Sequence, residues 1–339
     1  MKGSMIKESP RQVIIDTVSF QRPARLARDL WVLPAAGKKF EKELNALQKK
    51  YPSDFAPDGF EDPAGGLRLY EPGTFIDPWG CGWENHTWGL LGQVRHFPLN
   101  DWNNLKHYHA PLHLIGRGFE RVRETLAASG DKFHLGVIPS LFHRMCWLRE
   151  PSLIFMDFYT NPEELKTLRD IVHDYNMRHL KELLKYRHEC IFIGDDWGAQ
   201  SQLFIRPEMW REYFKPCYAE YFSLARDAGK LIFFHSDGYI IDIVEDLLEI
   251  GVQALNCQVA CMGVEELGRR FAGRLCFWGE LDRQRLLPRG MPEEIIAAAR
   301  KNLKNLSTPE GGYIMQAEVN ADVPLENLVA VFQTYELTL

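Results

Sequence analysis

The stretch Lys230–Asn256, KLIFFHSDGYIIDIVEDLLEIGVQALN, decides the fold. After its lysine it runs apolar to Phe234, the length and character of a strand buried on both faces. The run ends in two polar groups, His235 and Asp237. A helical pattern follows, and Gly251 stops it immediately before a second apolar run, Ala254–Gln258. Strand, helix and strand in this order make a parallel unit.

Working outward, the same alternation begins at about residue 133. Phe133–Pro139, Leu153–Phe158, Cys190–Gly194, Leu275–Gly279 and Gly312–Ala317 also read as strands. Asn161–Tyr186 reads as a helix, with Asn161 as its cap and Pro162 at the first helical position. Leu165, Leu168, Val172 and Tyr175 recur at helical spacing. Pro207 begins another helix that Gly229 ends, and Pro292 opens a third. Gly273 stops a helix ahead of its strand. Repeated units with continuous apolar strands predict an α/β fold whose parallel sheet is covered on both faces, with enough units to close a (β/α)8 TIM barrel. A doubly wound open sheet is the competing architecture, but no Gly-rich phosphate fingerprint follows the first strand.

The segment before residue 130 is irregular and rich in Pro, Gly and Trp. Within it TFIDPWGCGWENHTWGLLGQV, residues 74–94, reads as a hairpin. The expectation is one domain over residues 1–339: residues 1–130 hold an extension, the hairpin and the first barrel elements, and residues 131–339 the regular units.

Composition excludes several classes. Of 339 residues 45% are hydrophobic and 25% charged, enough for a large core and too ordered a mixture for a disordered chain. The net charge of −6 with interspersed signs gives no basic footprint for nucleic acid. No apolar run reaches membrane-spanning length. The stretch MKGSMIKESPRQ has no signal-peptide core, which places the protein in the cytoplasm by default. Seven scattered cysteines, with Cys257 and Cys261 the nearest pair, read as buried thiols rather than disulfides.

The chemistry collects at the strand ends. IFIGDDWG ends in Asp195 and Asp196, and LIFFHSDG in His235 and Asp237. The next ends bring Asn256 and Gln258, then Glu280 and Asp282, then Gln316, Glu318 and Asn320. In a parallel barrel these ends share one face, where barrel enzymes build their active sites. Adjacent Asp195 and Asp196 point opposite ways, so at most one faces the axis. His235 and Asp237, one residue apart, can project together. They read as a metal pair with Glu318 or Glu280 as third ligand, as a His–Asp general base, or as a satisfied structural pair. His107 and His109 read as solvated. Trp79, Trp83 and Trp88 read as hairpin packing or a pocket mouth.

From Pro151 onward the chain resembles the uroporphyrinogen decarboxylase superfamily, which includes decarboxylases and cobalamin-dependent methyltransferases. The resembling stretches are GDDWGAQSQLFIRPEMWREYFKP (194–216), LIFFHSDGYIIDIVEDLLEIGVQALN (231–256), RLCFWGELDRQRLLPRGMPEEI (274–295), and GGYI followed by VPLEN. DPWGCGWEN (77–85) with its downstream PLNDW resembles the methyltransferase-like branch. The resemblance implies a (β/α)8 barrel with an N-terminal extension. In the methyltransferase branch it implies a catalytic zinc held by a His-x-Cys pair and a later Cys, with a corrinoid protein presenting cobalt at the barrel mouth. His235 falls on the family histidine. Asp237 stands in the place of the first cysteine, and Glu318 lies nearest to the last. Carboxylates harden such a site, so Mn²⁺ or Fe²⁺ become candidates beside Zn²⁺. They also suit activation of an ether or methoxy oxygen, which fits O-demethylation. The decarboxylases anchor substrate carboxylates with an Arg-rich N-terminal segment and an early Asp. The matching region here, RLARDLWVLP (25–34), lacks that motif, and the neighbours of Asp77 do not match.

The resulting expectation is a metal-dependent methyltransferase that moves a methyl group between a small methylated substrate and a corrinoid cofactor or protein. The divalent metal, Zn²⁺ in the first place, is expected on His235, Asp237 and Glu318. Asp195, Asp196 and Glu280 are expected as catalytic groups, and Trp83, Gln200, Asn256, Gln258 and Gln316 as substrate-binding groups. No nucleic-acid or membrane partner is expected. A metal-free carboxy-lyase and a non-catalytic small-molecule binder are the rival readings.

Overall fold

The computed structural model describes residues 8–57, 66–117 and 119–338. The start of the stretch read for a signal, residues 1–7, lies outside them. Among the described residues ten strands are present: β1 Ala27–Val32, β2 Gly73–Ile76, β3 Gly82–Asn85, β4 Gln93–His96, β5 Leu135–Ile138, β6 Cys190–Gly194, β7 Leu231–Ser236, β8 Ala254–Cys257, β9 Cys276–Trp278 and β10 Tyr313–Val319. Seven of them form a curled parallel sheet in the order β1-β10-β9-β8-β7-β6-β5. The fold class is therefore α/β. Helices follow the strands and cover the outer face, as Pro162–Leu183 does with buried Leu165, Leu168, Val172 and Tyr175.

The two edges of this sheet are joined through a short extended segment. Asp54 N donates to Arg28 O of β1 at 3.1 Å. Phe133 N donates to Asp54 O at 2.9 Å and Ala56 N to Phe133 O at 2.8 Å, just ahead of β5. The concave side is filled by aromatic rings. Phe55 stacks on Trp278 with centroids 4.9 Å apart, and Phe133 stacks on Phe233 at 5.3 Å. This plug matters for the site, because Phe233 and His235 lie two apart on β7 and project to the same side.

Three local expectations need correction. Leu153–Phe158 is not a strand but part of the helix Pro151–Thr160, opened by Pro151 at its first turn. Asn161 sits at the N-cap of the next helix yet makes no side-chain cap bond. Its amide donates instead to Asp157 Oδ1 at 2.8 Å. The Thr74–Val94 hairpin is a three-stranded antiparallel sheet, β2-β3-β4. All seven cysteines are free, six buried and Cys261 partly exposed. Among the described residues no helix is long and apolar enough to cross a membrane.

Candidate functional site

The carboxyl ends of β6, β7 and β8 run in register, with Gly194, His235 and Asn256 side by side. Gly194 carries no side chain, and a Cβ there would lie 3.4 Å from His235 Cδ2. That bare position seats the imidazole over the aromatic plug, against Trp31 of β1 at 5.3 Å between centroids. Asn256 fixes the ring. Its Nδ2 donates to Trp278 O at 2.5 Å, so its Oδ1 faces His235 Nδ1, also at 2.5 Å. Nδ1 must therefore carry a proton, and Nε2 is the atom presented to the site.

Two carboxylates meet that nitrogen. Asp196 Oδ1 lies 3.3 Å and Asp237 Oδ1 3.6 Å from His235 Nε2. Asp237 N–H donates to Asp196 Oδ1 at 2.8 Å, which ties the two loops together. The three ligand atoms lie within 4.8 Å of one another. Each outer position is also occupied. Arg283 donates to Asp237 Oδ2, and its NH1 sits 2.6 Å from Glu318 Oε1. Its Nε lies 3.6 Å from Glu280 Oε1. Asp196 Oδ2 faces His143 Nε2 at 3.4 Å. Asp237 Oδ1 is buried with no hydrogen-bond donor of its own, an oxygen that burial leaves wanting a cation or proton.

Electrostatics follow from this crowding. Burial works against a charged His235, but contact with Asp196 and the charge of Asp237 outweigh it and raise its pKa to about 9. Burial alone would raise Asp196, yet His235 holds it well below the usual carboxylate range. Burial pushes Glu280 up to about 8, against the pull of Arg283 and with the help of Asp237. Burial likewise raises Glu318, opposed by Arg283.

Beside this cluster lies a cavity of about 310 Å³. Gln200, Gln258, Cys261, Glu280, Arg283 and Gln284 line it. Glu280 is 3% exposed and its Oε2 has no hydrogen-bond partner, so a buried carboxyl faces space that a ligand can fill. Gln200 and Gln284 hydrogen-bond to each other at 2.9 Å. Gln258 Oε1 accepts from Gly238 N at 3.2 Å, linking the cavity to the loop that carries Asp237.

Several residues expected in the site stand elsewhere. Glu318 is held by Arg283, and the carboxylates that stand against His235 Nε2 are Asp196 and Asp237. Asp195 is fully buried and accepts from Leu141 N (2.7 Å), Phe142 N (2.8 Å), His143 N (2.9 Å) and Tyr218 OH (2.8 Å). Its oxygens are taken by the N–H groups at the start of the helix Phe142–Leu148 and by the hydroxyl of Tyr218. Asn256 and Gln316 are fully buried and do not line the cavity. Asn256 orients His235, and Gln316 packs over Gly279. Trp83 is buried, stacked on Phe75, and donates to Asp77 Oδ2 at 3.0 Å. It helps hold the small sheet together and does not line this cavity. Sequence reasoning missed His143, Arg283 and Trp31. Arg283 alone left a trace, three residues after Glu280 in the strand end FWGELDR.

Comparison with known proteins agrees with this architecture. Residues 94–336 match the family model for uroporphyrinogen decarboxylase (URO-D). Among solved structures, a methyltransferase from Methanosarcina mazei superposes with a TM-score of 0.69 at 14% identity, over 97% of this chain and 98% of that one. At such identity the likeness speaks for the fold. A glycosylated endo-beta-1,4-xylanase from Gloeophyllum trabeum reaches a TM-score of only 0.40 at 12% identity, over 65% of this chain and 80% of its own, and carries no argument. No curated protein matches the chain. With the family model spanning more than half of its length, the chain belongs to the uroporphyrinogen decarboxylase family.

Proposed function

We propose that the chain is a metal-dependent methyltransferase of this family, moving a methyl group between a small methylated substrate and a corrinoid cofactor or a corrinoid carried by a partner protein. In this reading Asp54–Ala56 is the eighth position that closes the sheet into a (β/α)8 barrel, with the cavity at its carboxyl face. The structural likeness to a protein named a methyltransferase supports the direction. The observation that carries the reading is the convergence of Asp196 Oδ1, His235 Nε2 and Asp237 Oδ1.

These donors fit a divalent ion. Asn256 presents an unprotonated Nε2 in the neutral ring, and Asp237 Oδ1 has no other partner. Arg283 occupies only the far oxygen of Asp237 and so leaves the near one free. His235, Asp196 and Asp237 would hold the ion, which supplies a Lewis acid for an ether or methoxy oxygen of the substrate. The protein does the rest. Gln200 and Gln258 orient the substrate in the cavity. Glu280, an acid up to about pH 8, gives its proton to the oxygen that loses the methyl group.

One feature favours a second reading, a metal-free carboxy-lyase. Without an ion His235 stays an imidazolium and Glu280 a carboxylic acid, two proton donors beside Arg283. Elemental analysis of the purified protein separates the two. The methyltransferase reading expects bound divalent metal, or a melting temperature raised by added Zn²⁺ or Mn²⁺, and His235→Ala should abolish both. Protein that carries no metal, shows no thermal response and keeps turnover after exhaustive chelation belongs to the second reading.

A further inference from the structure

Two neighbouring aspartates end β6, and both reach the same histidine. Asp195 accepts the backbone N–H of His143 at 2.9 Å and so fixes where that residue sits. Asp196 Oδ2 meets the ring of His143, 3.4 Å from Nε2. Trp147, one helical turn on, lies parallel to the imidazole at 9° with centroids 6.1 Å apart. Backbone, ring face and ring edge of His143 are thus each held by a different group. Its Nδ1 stands 3.9 Å from Asp195 Oδ1, so the nearer carboxylate to the ring is Asp196, on the Nε2 side.

A carboxylate at a strand end turns readily about its side-chain bonds. Asp196 Oδ1 accepts the Asp237 N–H at 2.8 Å and lies 3.3 Å from His235 Nε2, which leaves Oδ2 as the oxygen that His143 faces. The other two donors are held by partners on their far atoms: Asn256 on His235 and Arg283 on Asp237. Resting on the metal reading above, we infer that His143 is the positioning residue for Asp196, its Nε2–H holding the outer oxygen so that the inner oxygen stays on the metal side. No charge on His143 is required, since a neutral ring with its proton on Nε2 suffices. Outer partners of metal ligands are worth about 10–100-fold in affinity.

Co²⁺ binding to the full chain, followed by visible absorption, tests this without reference to turnover. Three variants are needed: His143→Ala, His143→Phe, which keeps a ring against Trp147 but lacks the N–H, and His143→Gln, which restores an N–H donor. The Ala and Phe variants should bind Co²⁺ about 10–100-fold more weakly with altered d–d bands. The Gln variant should recover most of the affinity and the native spectrum. If His143→Phe matches the native protein in affinity and spectrum, the inference fails while the metal reading stands. If His143→Gln is as weak as His143→Phe, restoring an N–H donor does not restore binding, and the inference also fails. A native protein that takes no Co²⁺ overturns the metal reading itself, and this inference with it.

Discussion

At the residue scale, Asp195 and Asp196 show what a sequence conveys and what it withholds. Alternation along a strand says that two adjacent side chains diverge, and they do. Which of them faces the axis depends on where the next helix begins, and no local pattern encodes that. Opposite outcomes are expected for their alanine variants. Asp195→Ala strips an acceptor from three backbone N–H groups and a tyrosine hydroxyl. It should lower unfolding stability by about 2–4 kcal/mol in urea titration. Asp196→Ala, at a partly exposed side chain, should cost little stability and remove metal binding. Equal stability losses in the two variants would contradict the division of labour. The partner of Glu318 was hidden for a related reason: Arg283 comes from another strand end, 35 positions earlier in the chain. Glu280 was legible because it ends an apolar strand, but its environment was not. With its pKa near 8, a reaction that needs the acid form should slow as pH rises through about 8. Glu280→Gln, a permanent hydrogen-bond donor that releases no proton, should flatten that limb and lower kcat by about 10²-fold or more. An unchanged alkaline limb in this variant would remove Glu280 from the mechanism.

At the scale of elements, the strands from β6 onward were readable nearly to the residue, since each is an apolar run that Gly punctuates. Leu153–Phe158 failed because a short apolar run has the same composition in a strand and in a buried helix. Pro151, at a helix first turn, was the signal that would have separated them. β1 was not read as a strand because ARDLWV mixes charges into its pattern; Asp29 is nevertheless buried, bonded to Ser53 Oγ at 2.8 Å. The loops after β6 and β7 bring Asp196 and Asp237 together, and they cross at two glycines. Gly198 N donates to Asp237 O at 3.1 Å, and Tyr239 N to Ala199 O at 2.7 Å. Gly238 has φ +78°, and a Cβ there would stand 2.0 Å from Gly198 O. Gly238→Ala meets both backbone strain and a clash with main chain that cannot swing aside. It should cost more than about 2 kcal/mol and weaken Co²⁺ binding, because Asp237 is the preceding residue. A variant as stable as the native protein would show that these loops have room the structure denies them.

At the scale of the whole molecule, repeated strand–helix units made the parallel sheet legible, while the joining of its edges through Asp54–Ala56 was hidden in the irregular first part. The same architecture buries ionisable groups far from the cavity, and these set the acid limit of stability. His179, on the helix behind β5, is 2% exposed and its Nε2 lies 3.2 Å from Val137 O. Burial lowers its pKa from 6.5 to about 4. His188, at the start of β6, falls to about 4 through burial and the nearby Lys230. Above pH 6.5 both rings are neutral whether the chain is folded or unfolded, and neither affects the balance. Between 6.5 and about 4 the unfolded chain takes up protons that the folded chain refuses, so stability falls across this window and levels off below it. For a fully buried ring the loss is on the order of 3 kcal/mol, and somewhat less for His188, whose burial is incomplete. Glu280 and His235, whose pKa values are raised, work the other way as pH falls, so the effect of the His179 and His188 rings is read by difference between variants. From urea midpoints at pH 7.5, 6 and 5, His179→Gln, whose amide does not titrate, should gain stability relative to the native chain as pH falls. A His179→Gln variant whose midpoint changes with pH just as the native one does would mean that the β5–β6 unit admits a proton to this ring while folded.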